Sequence, residues 1–99
     1  MILGKVIGTV WSTRKDENLV GAKFLIVQQL DVAYNPKDAT VIAIDSVGAG
    51  VGEIVLVAQG SSARQTVFTK NKPVDAVIMA IVDKLDISMK EKIKELVEK

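Results

Sequence analysis

The chain has 99 residues, 13 basic and 12 acidic side chains for a formal net charge of +1, and neither cysteine nor histidine. Without cysteine there are no disulfides or thiolate metal sites, and without histidine the usual general base near neutral pH is missing. A near-zero charge gives no long-range pull toward nucleic acid or an anionic membrane.

One domain is expected at this length. Most of the sequence reads as short strands separated by turn signals, the pattern of a small sandwich or barrel. The first strand covers about 2–13 and ends at the polar Arg14-Lys15-Asp16-Glu17-Asn18 turn. The second covers about 19–30, rich in Val, Ile and Phe. Asn35-Pro36-Lys37-Asp38 makes the next turn, since proline pre-sets its φ and Asn and Asp bond locally to the backbone. The third and fourth strands cover about 40–45 and 53–58. After Gly60, Ser61 or Ser62 caps one or two helical turns running through Gln65. Asn71-Lys72-Pro73 then breaks the chain before a fifth strand at about 74–82.

Gly4, Gly8 and Gly21 lie inside the first two predicted strands, and such glycines mark bulges, barrel bends or close backbone approach. They favour a strongly coiled small barrel over 1–82. The fifth strand, Val77-Ile-Met-Ala-Ile-Val82, is apolar on both faces, whereas a small antiparallel barrel buries only the inward one. Its outer face is expected to meet a neighbouring subunit. Residues 88–99 differ in kind. Ser88 and Glu91 form a capping box, and Met89, Ile93, Leu96 and Val97 follow at helical spacing. This amphipathic helix is marginal alone in water, so it is expected to dock on the barrel or a neighbour.

Apolar residues make up 48% of the chain and mean hydropathy is +0.28. On so small a domain that implies exposed apolar surface and hence a partner. Met1-Ile-Leu-Gly-Lys5 does not read as a secretory signal, because a lysine interrupts it. The longest apolar run, 76–82, is far below the ~18 residues of a membrane span. A cytoplasmic protein with no membrane partner is expected.

The stretch 47–66 raises the question of a nucleotide site, with Gly48, Gly50 and Gly52 at alternate positions. A dinucleotide fingerprint needs G-x-G-x-x-G between a strand and a helix. Here the spacing is G-x-G-x-G, and the strand Glu53-Ile-Val-Leu-Val-Ala58 follows. A tight turn needing positive φ or close packing is the reading adopted. Gly60-Ser-Ser-Ala-Arg64 either binds an anion at a helix start, or caps that helix while Arg64 pairs with Asp45 or Glu53. The second reading is preferred. Serine nucleophiles need a base, and no G-x-S-x-G elbow is present. Asp31, Asp38, Asp45, Glu53, Asp75, Asp83 and Asp86 are dispersed without metal-ligand spacing. Trp11 reads as core or interface. No catalytic residue, cofactor or metal is therefore expected.

A barrel of the oligonucleotide-binding type is the rival reading, with single-stranded nucleic acid or an oligosaccharide as ligand. Such folds present stacking aromatics on a basic groove, and this chain has only Trp11, Phe24, Tyr34 and Phe68 with no basic surplus.

Four motifs together carry a resemblance: Met1-Ile-Leu-Gly-Lys-Val-Ile-Gly-Thr-Val-Trp-Ser-Thr13, Val20-Gly-Ala-Lys-Phe-Leu-Ile-Val27, Asp45-Ser-Val-Gly-Ala-Gly-Val-Gly-Glu53 and Gly60-Ser-Ser-Ala-Arg64. In this order and spacing, over about 1–82, the chain resembles the bacterial microcompartment vertex proteins of ethanolamine-utilisation compartments, related metabolosomes and carboxysomes. The resemblance implies a five-stranded closed barrel like the oligonucleotide-binding fold, assembled as a ring of five. Such rings close the corners of shells built from hexameric tiles. It also implies that Gly48, Ala49, Gly50, Val51, Gly52 and Glu53 lie near a subunit contact or central opening. Gly60, Ser61, Ser62, Ala63 and Arg64 would then form a short helix packed on the adjacent protomer. The compartment type and the neighbouring tile are not implied.

Overall fold

The structure is a computed structural model that describes residues 1–12, 17–60, 63 and 75–88. Five strands follow one another: β1 (Ile2–Val10), β2 (Phe24–Leu30), β3 (Pro36–Asp45), β4 (Ile54–Gln59) and β5 (Ala76–Ile81). They close in the order β1-β2-β3-β5-β4, with β4 returning to pair with β1. All pairs are antiparallel except β3 with β5. The expected closed five-stranded barrel is what the chain forms. Closure removes the open edges that otherwise template aggregation.

Two apolar clusters explain why the sequence rarely alternates cleanly. Val6, Leu25, Val27, Ala43, Val55, Val57, Ala76 and Ile78 fill the barrel, joined by Ala49 from the loop after β3. A second cluster, Ala22, Ile44, Ala58, Ala63 and Val77, lies on the outside of the wall, with Leu19 and Phe24 packed against it. Ala76 and Ile78 of β5 thus point inward while Val77 is buried by the chain's own residues on the outer side. The expectation that a neighbouring subunit covers that outer face is corrected for Val77.

Glycine sets how tightly the wall coils. A Cβ at Gly4 would overlap Val27 Cγ1 and sit 2.9 Å from the Gln28 carbonyl oxygen, so only glycine lets β1 and β2 approach there. At Gly8 the register between β1 and β2 slips, leaving Ile7 as the extra residue of a bulge. Gly21 is not inside a strand. Glu17–Leu19 is a 3₁₀ turn, and Gly21 follows it at φ 86° before β2 begins at Phe24.

The third strand begins at Pro36 rather than at Thr40. The turn lies earlier than Asn35-Pro36-Lys37-Asp38 suggested. Asp31 Oδ1 accepts the Ala33 and Asn35 amides at 2.8 and 3.0 Å, and Tyr34 takes φ 65°. Pro36 then opens the strand, where a missing amide is tolerated. The predicted helices at 61–65 and 88–99 fall almost wholly outside the described residues.

Candidate functional site

The loop between β3 and β4 is fixed by the residues flanking it. Asp45 Oδ1 accepts the amides of Val47, Gly48 and Ala49 at 3.1, 3.1 and 3.2 Å. Gly48, at φ 78°, makes the left-handed step this wrap requires. Ala49 then turns inward and is almost wholly buried in the barrel core, plugging this end of the barrel. Its carbonyl receives Lys23 Nζ at 3.4 Å. Ser46 Oγ donates to the Ile78 carbonyl at 2.6 Å, tying the loop to β5.

The second half is pinned to β1. Glu53 Oε1 accepts the Gly50 amide at 2.6 Å, a short bond of the kind a carboxylate makes. The Gly52 amide donates to Val6 O at 2.8 Å, and the Val6 amide donates to Glu53 O at 3.0 Å. Gly52 stands at φ 95° with open space around its missing Cβ. Val47 and Val51 face solvent, 40% and 66% exposed. The loop is rigid by bonding, apolar at its tip, and carries no grouping for chemistry. Among the described residues no three acidic side chains lie close enough to hold a metal ion.

The structure thus brings Gly48, Ala49, Gly50, Val51, Gly52 and Glu53 into one unit. Gly60 and Ala63 belong elsewhere. Gly60, at φ 65°, donates its amide to Asp75 O at 2.7 Å, and Ala63 is buried in the outer cluster. β4 separates Glu53 from Gly60, and its six residues span about 20 Å. Ser61, Ser62 and Arg64 lie outside the described residues, as does the pairing suggested for Arg64. Its two suggested acceptors, Asp45 and Glu53, each commit an oxygen to loop amides.

Asp45 and Ser46 head the sequence motif but are not among the residues expected at the subunit contact, and Lys23 comes from the separate Val20–Val27 motif. Asp45 had a readable signal, because Asp-Ser-x-Gly is an aspartate-led turn. Trp11 is 90% exposed, which removes it from the core. With Thr9, Val10, Ser12, Ala22 and Lys23 it borders a cavity of about 500 Å³. Lys23 therefore links that cavity to the glycine loop.

Residues 1–83 match the protein family described as ethanolamine utilisation protein EutN/carboxysome. The chain belongs to this family. It is 49% identical to the bacterial microcompartment shell vertex protein GrpN of Rhodospirillum rubrum, over 87% of this chain and 97% of that protein. The solved structure of the GrpN pentameric microcompartment shell protein from Rhodospirillum rubrum superposes with a TM-score of 0.80, covering 88% of this chain and 99% of that one. The structure of Nostoc sp. PCC 7120 CcmL gives a TM-score of 0.85 at 44% identity, covering 89% and 93%. Family members thus share the barrel, and the matched region ends just after β5.

Proposed function

We propose that this chain is a structural shell protein that assembles as a homopentamer and closes the five-fold vertices of a bacterial microcompartment in the cytoplasm. The observation that carries this reading is the superposition on a pentameric shell protein over nearly the whole of that protein at 48% identity. The glycine loop supplies the closely approaching, small-residue rim that a cyclic assembly needs near its contacts. Gly48, Gly50, Val51, Gly52 and Glu53 form that rim around the buried Ala49, and Gly60, Ser61, Ser62 and Arg64 pack on the adjacent protomer, with Ala63 turned into the chain's own outer cluster. The remaining faces of the shell are hexameric tiles, which the ring contacts at its perimeter. The role is architectural and needs no turnover and no cofactor.

No observation favours the nucleic-acid or oligosaccharide alternative. Phe24 packs on the outer cluster. Trp11 follows β1 at the Phe24 end of β2, whereas Tyr34 follows the Leu30 end, about 20 Å away for a seven-residue strand. Three aromatics so placed make no common stacking platform.

The test is co-expression with hexameric microcompartment shell proteins, with and without this chain, followed by electron microscopy. Sealed polyhedra should need the chain, and shells lacking it should show open corners. Equally sealed shells in its absence would refute the proposal.

A further inference from the structure

The register of β1 and β2 brings an exposed indole alongside an ammonium. Val10 pairs with Phe24, and one step beyond, Trp11 comes abreast of Lys23. Residues abreast in an antiparallel pair share a face, and both border the cavity of about 500 Å³. Among the described residues Trp11 is the most exposed of the large apolar side chains, ahead of Met1, Val20 and Val51. Exposing that much aromatic surface is costly, and a ligand laid against it recovers the cost.

The backbone of Lys23 is fixed while its ammonium is not. Its carbonyl accepts the Asp45 amide at 2.8 Å. The neighbouring Ala22 is held by its own amide, which donates to Leu19 O at 2.9 Å, and by burial of its side chain. The ammonium has three donors. Among the described residues its one bond is the 3.4 Å contact with Ala49 O, longer than most hydrogen bonds. No carboxylate borders the cavity. Asp45 and Glu53, the acidic residues of the adjoining loop, each commit an oxygen to loop amides.

We propose that this cavity is a binding site for a small organic carboxylate with a flat apolar body. The Lys23 ammonium meets the carboxylate in a charge-assisted hydrogen bond, Val10 and Ala22 receive the body, and the Trp11 indole covers it. The volume lies within the range of small-molecule sites. Each simpler ligand leaves part of the cavity unmatched. A cation is repelled by Lys23, a neutral apolar molecule leaves the ammonium without a partner, and a bare inorganic anion leaves the indole uncovered. The site is separate from the vertex role and transforms nothing.

Trp11 is the only tryptophan of the chain, so its fluorescence reports on this cavity alone. Phenylacetate, titrated into the purified assembled protein with excitation beyond the absorption of its ring, should give a saturable change in emission. Phenethyl alcohol has the same body without the charge and should bind roughly ten- to a hundredfold more weakly, the worth of a hydrogen bond to a charged group. Acetate, the charge without the body, should give no saturable change over the same range. Lys23→Met should abolish the preference for acid over alcohol, whereas Lys5→Met, paired with Gln28 further along β1, should keep it. If Lys23→Met does not fold, the comparison of acid with alcohol on the parent decides. Equal affinity for the two, no saturable response to the acid, or an unchanged preference in Lys23→Met would overturn the site and leave the vertex assignment standing.

Discussion

Gly4→Ala tests how closely the barrel wall is wound. The added methyl would point into the space held by Val27 Cγ1 and stand 2.9 Å from the Gln28 carbonyl oxygen. Val27 is fully buried and has nowhere to swing, and the carbonyl belongs to the β2 backbone itself. Overpacking of this kind costs about 1–3 kcal/mol. Alanine also restricts the unfolded chain more than glycine does, which returns about 0.4–1 kcal/mol. With a backbone carbonyl in the way the overpacking falls in the upper part of its range, about 2–3 kcal/mol. The net loss is therefore about 1–2.6 kcal/mol, or roughly a 4–20 °C fall in melting temperature for a domain of this size. Gly8→Ala on the same strand is the control, since its methyl would meet only the tip of Ile26 at 3.4 Å. The barrel should hold it with a change within about 0.5 kcal/mol, the range of an unremarkable surface substitution. Both melts must be run at one chain concentration, because assembly contributes to apparent stability. A Gly4→Ala chain melting within about 2 °C of its parent would refute this account of the β1–β2 approach.

Asp45→Ala should cost about 1–3 kcal/mol by stranding the amides of Val47, Gly48 and Ala49, and Asp45→Asn, which keeps an acceptor oxygen, should recover part of that in the same thermal melt. Gly52→Ala, forced to φ 95°, should lose about 1–3 kcal/mol and expose the loop to limited proteolysis, whereas an unchanged cleavage rate would count against a strained position. Arg64→Ala should yield smaller species in native mass spectrometry while the strand signal persists, since stranding a desolvated partner across a contact costs about 2–5 kcal/mol. Deleting 88–99 should leave strand content and ring size unchanged, and wholesale aggregation of the shortened chain would show that this segment covers the barrel.

Much of the barrel can be read from the residues because its constraints are local. Gly4 and Gly8 sit inside a strand rich in β-branched residues and announce a close approach and a bulge, and both are present. Gly21 carries the same sequence signal but stands in a turn, because a glycine with positive φ and a glycine with no room for a methyl look identical in sequence. Asn35-Pro36 misled for a related reason. The turn is made upstream by the Asp31 carboxylate, a side chain to backbone bond that composition does not reveal, and proline serves as the first strand residue instead. The two-faced hydrophobicity of β5 is legible in its residues, but its cause is internal for Val77, where the outer cluster gathers residues distant in sequence. The glycine loop was legible as a tight turn. Its dependence on Asp45, Lys23 and the buried Ala49 required the barrel to bring those elements together. Subunit number is not written in any strand pattern, and here it comes from kinship with pentameric relatives.

The account stands most directly on the mass of the native assembly. A single chain weighs 10.7 kDa, so native mass spectrometry of the purified protein should find one dominant species at five times that mass. It should persist at low micromolar concentration and collapse to single chains only with denaturant. A dominant monomer, or a closed assembly of any other number, would contradict the claim that this chain forms the five-fold vertex.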